Sequence, residues 1–205
     1  MLQTKAVEPI TLGLIKDLFN HDYIKPYLLV GGTALALQIG HRTSTDIDLF
    51  INTPHDTEYL LNALQQVYEV FVRNRFRHAL FVDINGIKAD IIFQKCHLID
   101  SSVIIEGIKM ASLKEIAAMK LLAVTNRGRK RDFIDLFFLL KEFPLIEMLL
   151  FFKEKFENDN YFLILRSLTY FEDAEEDEEL KYFFTESWDE IKAQISEAVK
   201  TIKLQ

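Results

Sequence analysis

The chain has 205 residues, 49% of them hydrophobic and 27% charged, enough apolar material for a sizeable core in one domain or two closely packed halves, which excludes a disordered chain. A lone cysteine, Cys96, excludes an internal disulfide and a cysteine-paired metal site; the start lacks a signal-peptide pattern, and the most apolar stretch, 133–152, is broken by Asp135, Lys141, Glu142, Pro144 and Glu147, so a soluble, cytoplasmic protein is expected. The net charge of −7 argues against a nucleic-acid partner, yet ten acids stand against Lys181 alone between 171 and 190, so the remainder carries +2 with basic groups at Arg73, Arg75, Arg77 and at Arg127, Arg129, Lys130, Arg131.

In chain order, proline at a helix start and Ile10, Leu14 and Leu18 at four-residue spacing predict a helix over 9–19. The stretch that follows, 27–51, reads YLLVGGTALALQIGHRTSTDIDLFI. A short apolar strand leads into Gly31 and Gly32, where backbone free of Cβ atoms lets a ligand come close. A helix expected from Thr33 then presents free N–H groups and the positive end of its dipole, which favour a phosphate. From Thr45 to Ile51 the pattern alternates, placing Asp46 and Asp48 on one strand face about 6–7 Å apart at Cα. Two carboxylates at that spacing can converge on one divalent cation, and oxygen ligands suit Mg²⁺.

Thr53-Pro54 predicts a further helix start, followed by the amphipathic Leu60, Leu61, Leu64, Val67 and Tyr68. Strands are expected over 69–73, 76–84 and 87–93, with Asn85-Gly86 as a two-residue hairpin turn between the last two. If Ile84 faces Ile87, then Asp83 faces Lys88 and Phe81 faces Asp90. Asp83 then has a ready partner and Asp90 none, which makes Asp90 the third metal-facing carboxylate and Asp83 the weaker candidate.

The second half reads as helical. Ser112 and Glu115 form a capping-box pattern ahead of LKEIAAMKLLAVTN, whose apolar face, Ile116, Ala117, Leu121 and Val124, also carries Lys120. A lysine on that face either snorkels to water or reaches the phosphates of a bound nucleotide. Gly128 is a candidate helix stop. The helix after it is apolar nearly all round from 133 to 140 and carries Asp132 and Asp135 on one face, for which Lys120, Arg127 and Arg131 are candidate partners. Further helices are expected over 145–156 and 161–170, then a solvated acidic run at 172–179, and a terminal amphipathic helix through Trp188, Ile191, Ile195, Val199 and Ile202.

Gly31-Gly32-Thr33-Ala34-Leu35, His41-Arg42-x-Ser44-x-Asp46-Ile47-Asp48-Leu49-Phe50, the Lys120 helix and Arg131-Asp132-x-x-Asp135-Leu136 together resemble the AbiEii/AbiGii-type toxins of the nucleotidyltransferase superfamily, related to DNA polymerase β-like enzymes. The segment around 170–174 and Trp188 resembles the family's C-terminal part, so the likeness runs from about 27 to beyond 188. It implies an α/β (α+β) fold: a nucleotidyltransferase-like mixed sheet with flanking helices over 1–111, followed by a helical C-terminal half over 112–205. It also implies that Gly31, Gly32, Thr33, Arg42, Ser44 and Lys120 bind an NTP, that Asp46, Asp48 and Asp90 hold Mg²⁺ as two ions, and that Asp132 is a late essential acid. The implied reaction is attack of an acceptor hydroxyl on the α-phosphorus with pyrophosphate leaving, between the two halves. The implied partners are an RNA acceptor, notably tRNA, and a cognate antitoxin protein. Gly32 stands where many relatives have serine, so one side-chain phosphate contact of the family is missing here unless Thr33 or Ser44 replaces it. Two other classes compete: an enzyme that nucleotidylates a small molecule such as an antibiotic, and a catalytically silent nucleotide-binding partner. The paired aspartates Asp46 and Asp48 speak against the last.

Overall fold

In the computed structural model residues 1–177 and 181–202 are described, so Glu178 and Glu179 of the acidic run lie outside the described residues. The first helix, α1 (Pro9–Leu18), starts where Glu8 is extended and Pro9 needs no N–H partner; it buries Leu14, Ile15 and Leu18. Ile10, expected on the same face, is 66% exposed instead. The two-residue strand β1 (Leu28–Leu29) runs into α2 (Gly31–Ile39), which Gly40 closes with φ +74°. Next come β2 (Ile47–Ile51) and α3 (Thr57–Gln65). That helix begins later than Thr53-Pro54 suggested, because the Asp56 side chain accepts from the N–H groups of Glu58 and Tyr59 and supplies the cap.

Strands β3 (Val70–Phe76), β4 (Ala79–Ile84) and β5 (Ile87–Phe93) follow as a meander, β3 reaching further than 69–73 and β4 starting later than expected. Asn85 and Gly86 both take positive φ, and the register Ile84↔Ile87, Asp83↔Lys88 and Phe81↔Asp90 is the expected one. A second hairpin, β6 (Val103–Ile105) and β7 (Ile108–Met110), turns at Glu106-Gly107 with the same pair of positive φ values and was not foreseen. Among the described residues seven strands make one mixed sheet in the order β3-β4-β5-β2-β1-β7-β6, with β2/β5 and β1/β7 parallel and the remaining pairs antiparallel.

Register sorts the side chains into two faces. Met110, Leu29, Leu49, Ile91 and Leu80 are partners in one row across five strands and each is wholly buried. At about 1.5–3 kcal/mol per buried aliphatic side chain, such a row strongly specifies which face is inside. The neighbouring row on the opposite face, Asp48, Asp90, Phe81 and Asn74, is half-buried or exposed and runs from the sheet centre to its edge.

The chain divides into two compact units, residues 1–96 with 101–112 and residues 97–100 with 113–205. The first holds the sheet and α1 to α3. The second is helical: α4 (Leu113–Asn126), α5 (Lys130–Glu142), α6 (Leu145–Phe156), α7 (Tyr161–Ser167), α8 (Glu172–Glu175) and α9 (Trp188–Lys200). Here α4 packs on α5, α6 and α7 around Ile116, Leu121, Phe133 and Phe137, while the capping box Ser187/Glu190 opens α9. The Glu115 carboxylate, expected at a helix cap, is instead buried against Lys155 and accepts from the Ile99 N–H, which ties 97–100 to the helical unit. No helix among the described residues is long and apolar enough to cross a membrane.

Candidate active site

The carboxylates come together through strand register. Asp48 on β2 lies directly opposite Asp90 on the parallel strand β5, and Asp46 precedes β2 by one residue. Two positions along from Asp90 on the same face stands Lys88, whose Nζ is 3.7 Å from Asp46 Oδ2 and 3.8 Å from Asp90 Oδ2. Arg73 closes the group from the edge strand: its Nε is 2.8 Å from Asp83 Oδ1 and its Nη2 is 2.5 Å from Asp90 Oδ1. Its Nη2 also donates to the Val82 and Ala89 carbonyls. Arg73 reaches inward because β3 slips register between Val72 and Asn74; the bulge turns an extra side chain onto the carboxylate face.

Asp90 is therefore not the unpartnered carboxylate expected from the hairpin. It pairs with both Arg73 and Lys88, and Asp83 pairs with Arg73 instead of its cross-strand neighbour Lys88. Burial alone would depress the Arg73 guanidinium, but Asp90 and Asp83 outweigh it and raise its pKa. Among the described residues no group of three or more His, Cys, Asp or Glu side chains stands close enough to hold a metal ion. Like charges on adjacent strands repel, and here lysine and arginine supply the counter-charge.

The glycine turn lies against this group. Helix α2 begins at Gly31, two residues earlier than expected, because Gly31 takes φ +69° and puts the turn inside the first helical residues. A Cβ on Gly31 would collide with the Asp48 carboxylate, and one on Gly32 with the Arg42 guanidinium. Val30, in the N-cap position, offers no side-chain cap, which leaves the first N–H groups of α2 suited to an anion. Thr33 is buried; its hydroxyl is 2.9 Å from Ser44 Oγ and donates to the Asp46 carbonyl, so it braces the strand that carries the aspartates. Ser44 is held from behind by the Ala6 carbonyl, which accepts its N–H at 2.9 Å, and Arg42 is buried with its guanidinium donating to the Thr43 carbonyl.

A Gly31→Ala protein is expected to lose about 1–3 kcal/mol through strained backbone alone and to push Asp48 out of place. Chemical denaturation measures the first effect and nucleotide transfer the second; an unchanged midpoint would contradict the packing described.

The remaining predicted site residues lie in the helical unit. Lys120 is 5% exposed, with Nζ 2.9 Å from Asp132 Oδ1 and 2.6 Å from Asp135 Oδ2, and Asp132 also accepts from Arg127 Nε at 2.8 Å. Burial pushes the Asp132 carboxyl up, yet Lys120 and Arg127 overcome it and hold it below the ordinary value. Of the basic groups, Arg127 is thus committed to Asp132 and Arg129 lies 3.5 Å from Asp177. Sequence reasoning missed Lys88 as a site residue, although its position two before Asp90 placed it on the right face. It also read Arg73 as surface charge, since nothing in the local pattern reveals the bulge.

A family model described as nucleotidyl transferase AbiEii toxin, Type IV toxin–antitoxin system, matches residues 14–203. An uncharacterized protein of Aquifex aeolicus (strain VF5) is 31% identical over 207 residues, covering 97% of this chain and 94% of its own. Among solved structures, the nucleotidyltransferase toxin MenT4 of Mycobacterium tuberculosis H37Rv is similar with TM-score 0.59 and 14% identity, over 95% of this chain and 84% of that one. JHP933 of Helicobacter pylori is similar with TM-score 0.55 and 17% identity, over 95% and 92%.

Proposed function

The chain belongs to the AbiEii nucleotidyl transferase toxin family, and from that premise we propose that this nucleotidyltransferase moves a nucleoside monophosphate from an NTP to a hydroxyl of an RNA acceptor, tRNA first, as the toxin of a toxin–antitoxin pair. One observation carries the reading: Asp48 and Asp90 in parallel register, Asp46 one residue before the strand, and the glycine turn of α2 against the Asp48 carboxylate. The acceptor oxygen forms a bond to the α-phosphorus, the bond to the β-phosphate bridging oxygen breaks, pyrophosphate leaves and the acceptor proton passes to water. The N–H groups at the start of α2 bind the departing phosphates, with Arg42 and Ser44 beside them.

By donor chemistry, though not by their present spacing, the carboxylates suit a hard divalent ion. Asp46, Asp48 and Asp90 offer carboxylate oxygens, which suit Mg²⁺, and the cation now bridging Asp46 and Asp90 is the 44% exposed, flexible Lys88. When bound there, such a metal, two ions in this reading, supplies Lewis acidity at the reacting phosphate. Lys120 and Asp132 are proposed to serve as a pair, Asp132 orienting the ammonium for a nucleotide phosphate.

The test gives the purified protein each labelled nucleoside triphosphate with Mg²⁺ and total tRNA, beside an Asp46→Ala control. Label is expected on tRNA from the parent protein alone. Label that survives the substitution would remove the catalytic assignment, and transfer to small molecules with none to tRNA would replace the acceptor.

A further inference from the structure

We propose that the exposed edge of the sheet, strand β3, is a stacking platform for a single-stranded segment of the acceptor nucleic acid next to the carboxylates. The inference rests on the RNA-acceptor reading and assigns residues to it. Register puts Phe71 opposite Asp83, Asn74 opposite Phe81 and Phe76 opposite Ala79, all on the face that carries Asp48 and Asp90. Phe71 and Phe76 are 67% and 56% exposed, although their strand is the outermost of the sheet and nothing in the first unit's core needs them. Phe76 meets Phe81 edge to face, with ring centroids 6.1 Å apart, so one ring continues the other toward Asp90.

Charge identifies the occupant. Arg77, exposed in the turn right after Phe76, has no acidic partner among the described residues, in a chain whose net charge is −7; Arg75 is unpaired too, but its register partner Leu80 turns it to the opposite face. An unpaired arginine beside exposed aromatic rings matches a nucleic-acid strand, whose phosphates pair with the cation and whose bases stack on the rings. Geometry agrees. Strand β3 lies two strand spacings, about 10 Å, from β5, roughly the reach of the nucleotides just behind a reacting terminus.

The test measures anisotropy of a short labelled single-stranded RNA with the full-length protein, its Phe71→Ala, Phe76→Ala, Phe71→Tyr and Phe76→Tyr variants, and Arg75→Gln with Arg77→Gln. Each alanine change is expected to weaken RNA binding about tenfold and each tyrosine to restore it, while Arg77→Gln lowers the salt slope by about 1 and Arg75→Gln leaves it unchanged, all with NTP affinity unchanged. Melting curves confirm that these surface variants fold. Equal RNA binding by parent and alanine variants would overturn the platform and leave the RNA reading standing. No RNA binding by the parent would overturn both. Weaker NTP binding in place of weaker RNA binding would assign the rings to the nucleotide base and overturn the proposal. So would a parent dimer in light scattering that Phe71→Ala converts to a monomer without changing RNA affinity, since a second copy would then be the occupant.

Discussion

An Asp48→Asn protein is expected to fold as the parent does and to transfer nucleotide at least about 10²–10³-fold more slowly, the loss typical of removing one preorganised charge-stabilising group. The substitution keeps the shape of the side chain that rests on Gly31 and removes only its charge. Asp90 is its direct neighbour in register, so neutralising Asp48 also relieves a like-charge repulsion. Single-turnover transfer and a denaturation curve on the same preparation separate the two. Activity within a few-fold of the parent would show that the carboxylate row is a charged surface and not a catalytic one.

The largest stability effect is expected from Asp132→Ala. That carboxylate is fully buried and answers to two cations, Lys120 and Arg127, and its removal leaves Lys120 in the interior with Asp135 as its remaining ion-pair partner. Breaking a buried pair by deleting one member costs about 3–5 kcal/mol, which for a chain of this size lowers the melting temperature by about 6–20 °C. Arg127, about half exposed, contributes less than its distance implies because water screens it. The pH dependence has a definite sign. A folded-state pKa below the unfolded value means that Asp132 stabilises the fold above its unfolded pKa, and that this increment is lost as pH falls through the folded one. An Asp132→Ala protein should therefore show a shallower acid limb in its stability profile. A melting temperature within a degree or two of the parent would remove the structural role and leave Asp132 to catalysis alone.

Much of the carboxylate face was legible in the sequence because β-structure has a period of two. Asp46 and Asp48 had to share a face, and Asn85-Gly86 set the pairing that aims Asp83 and Asp90 the same way. Helices α5 and α6 were readable from long apolar runs with punctuation at Gly128 and Pro144. Shorter features were not. Strands β6 and β7 have three residues each, too few for a periodic signal, and owe their existence to pairing with one another and with β1. The ion pairs were invisible for a different reason. Arg73 turns inward only because the edge strand bulges, and Lys155 finds Glu115 only because α4 and α6 pack together across forty residues. Such partners are set by tertiary geometry, which no local window contains.

The placement of β7 also bears on how the chain is made. β1 sits inside the sheet, yet one of its two neighbours is a strand about eighty residues further on, joined through Leu29↔Met110 and the Ala111 N–H to the Leu29 carbonyl. A ribosome emits residues 1–96 before that neighbour exists, so the nascent sheet carries an open flank at β1 beside the glycine turn. During synthesis the flank beside the glycine turn is thus the last part of the sheet to be sealed, and the growing chain passes through a sticky, incomplete stage before the sheet is whole.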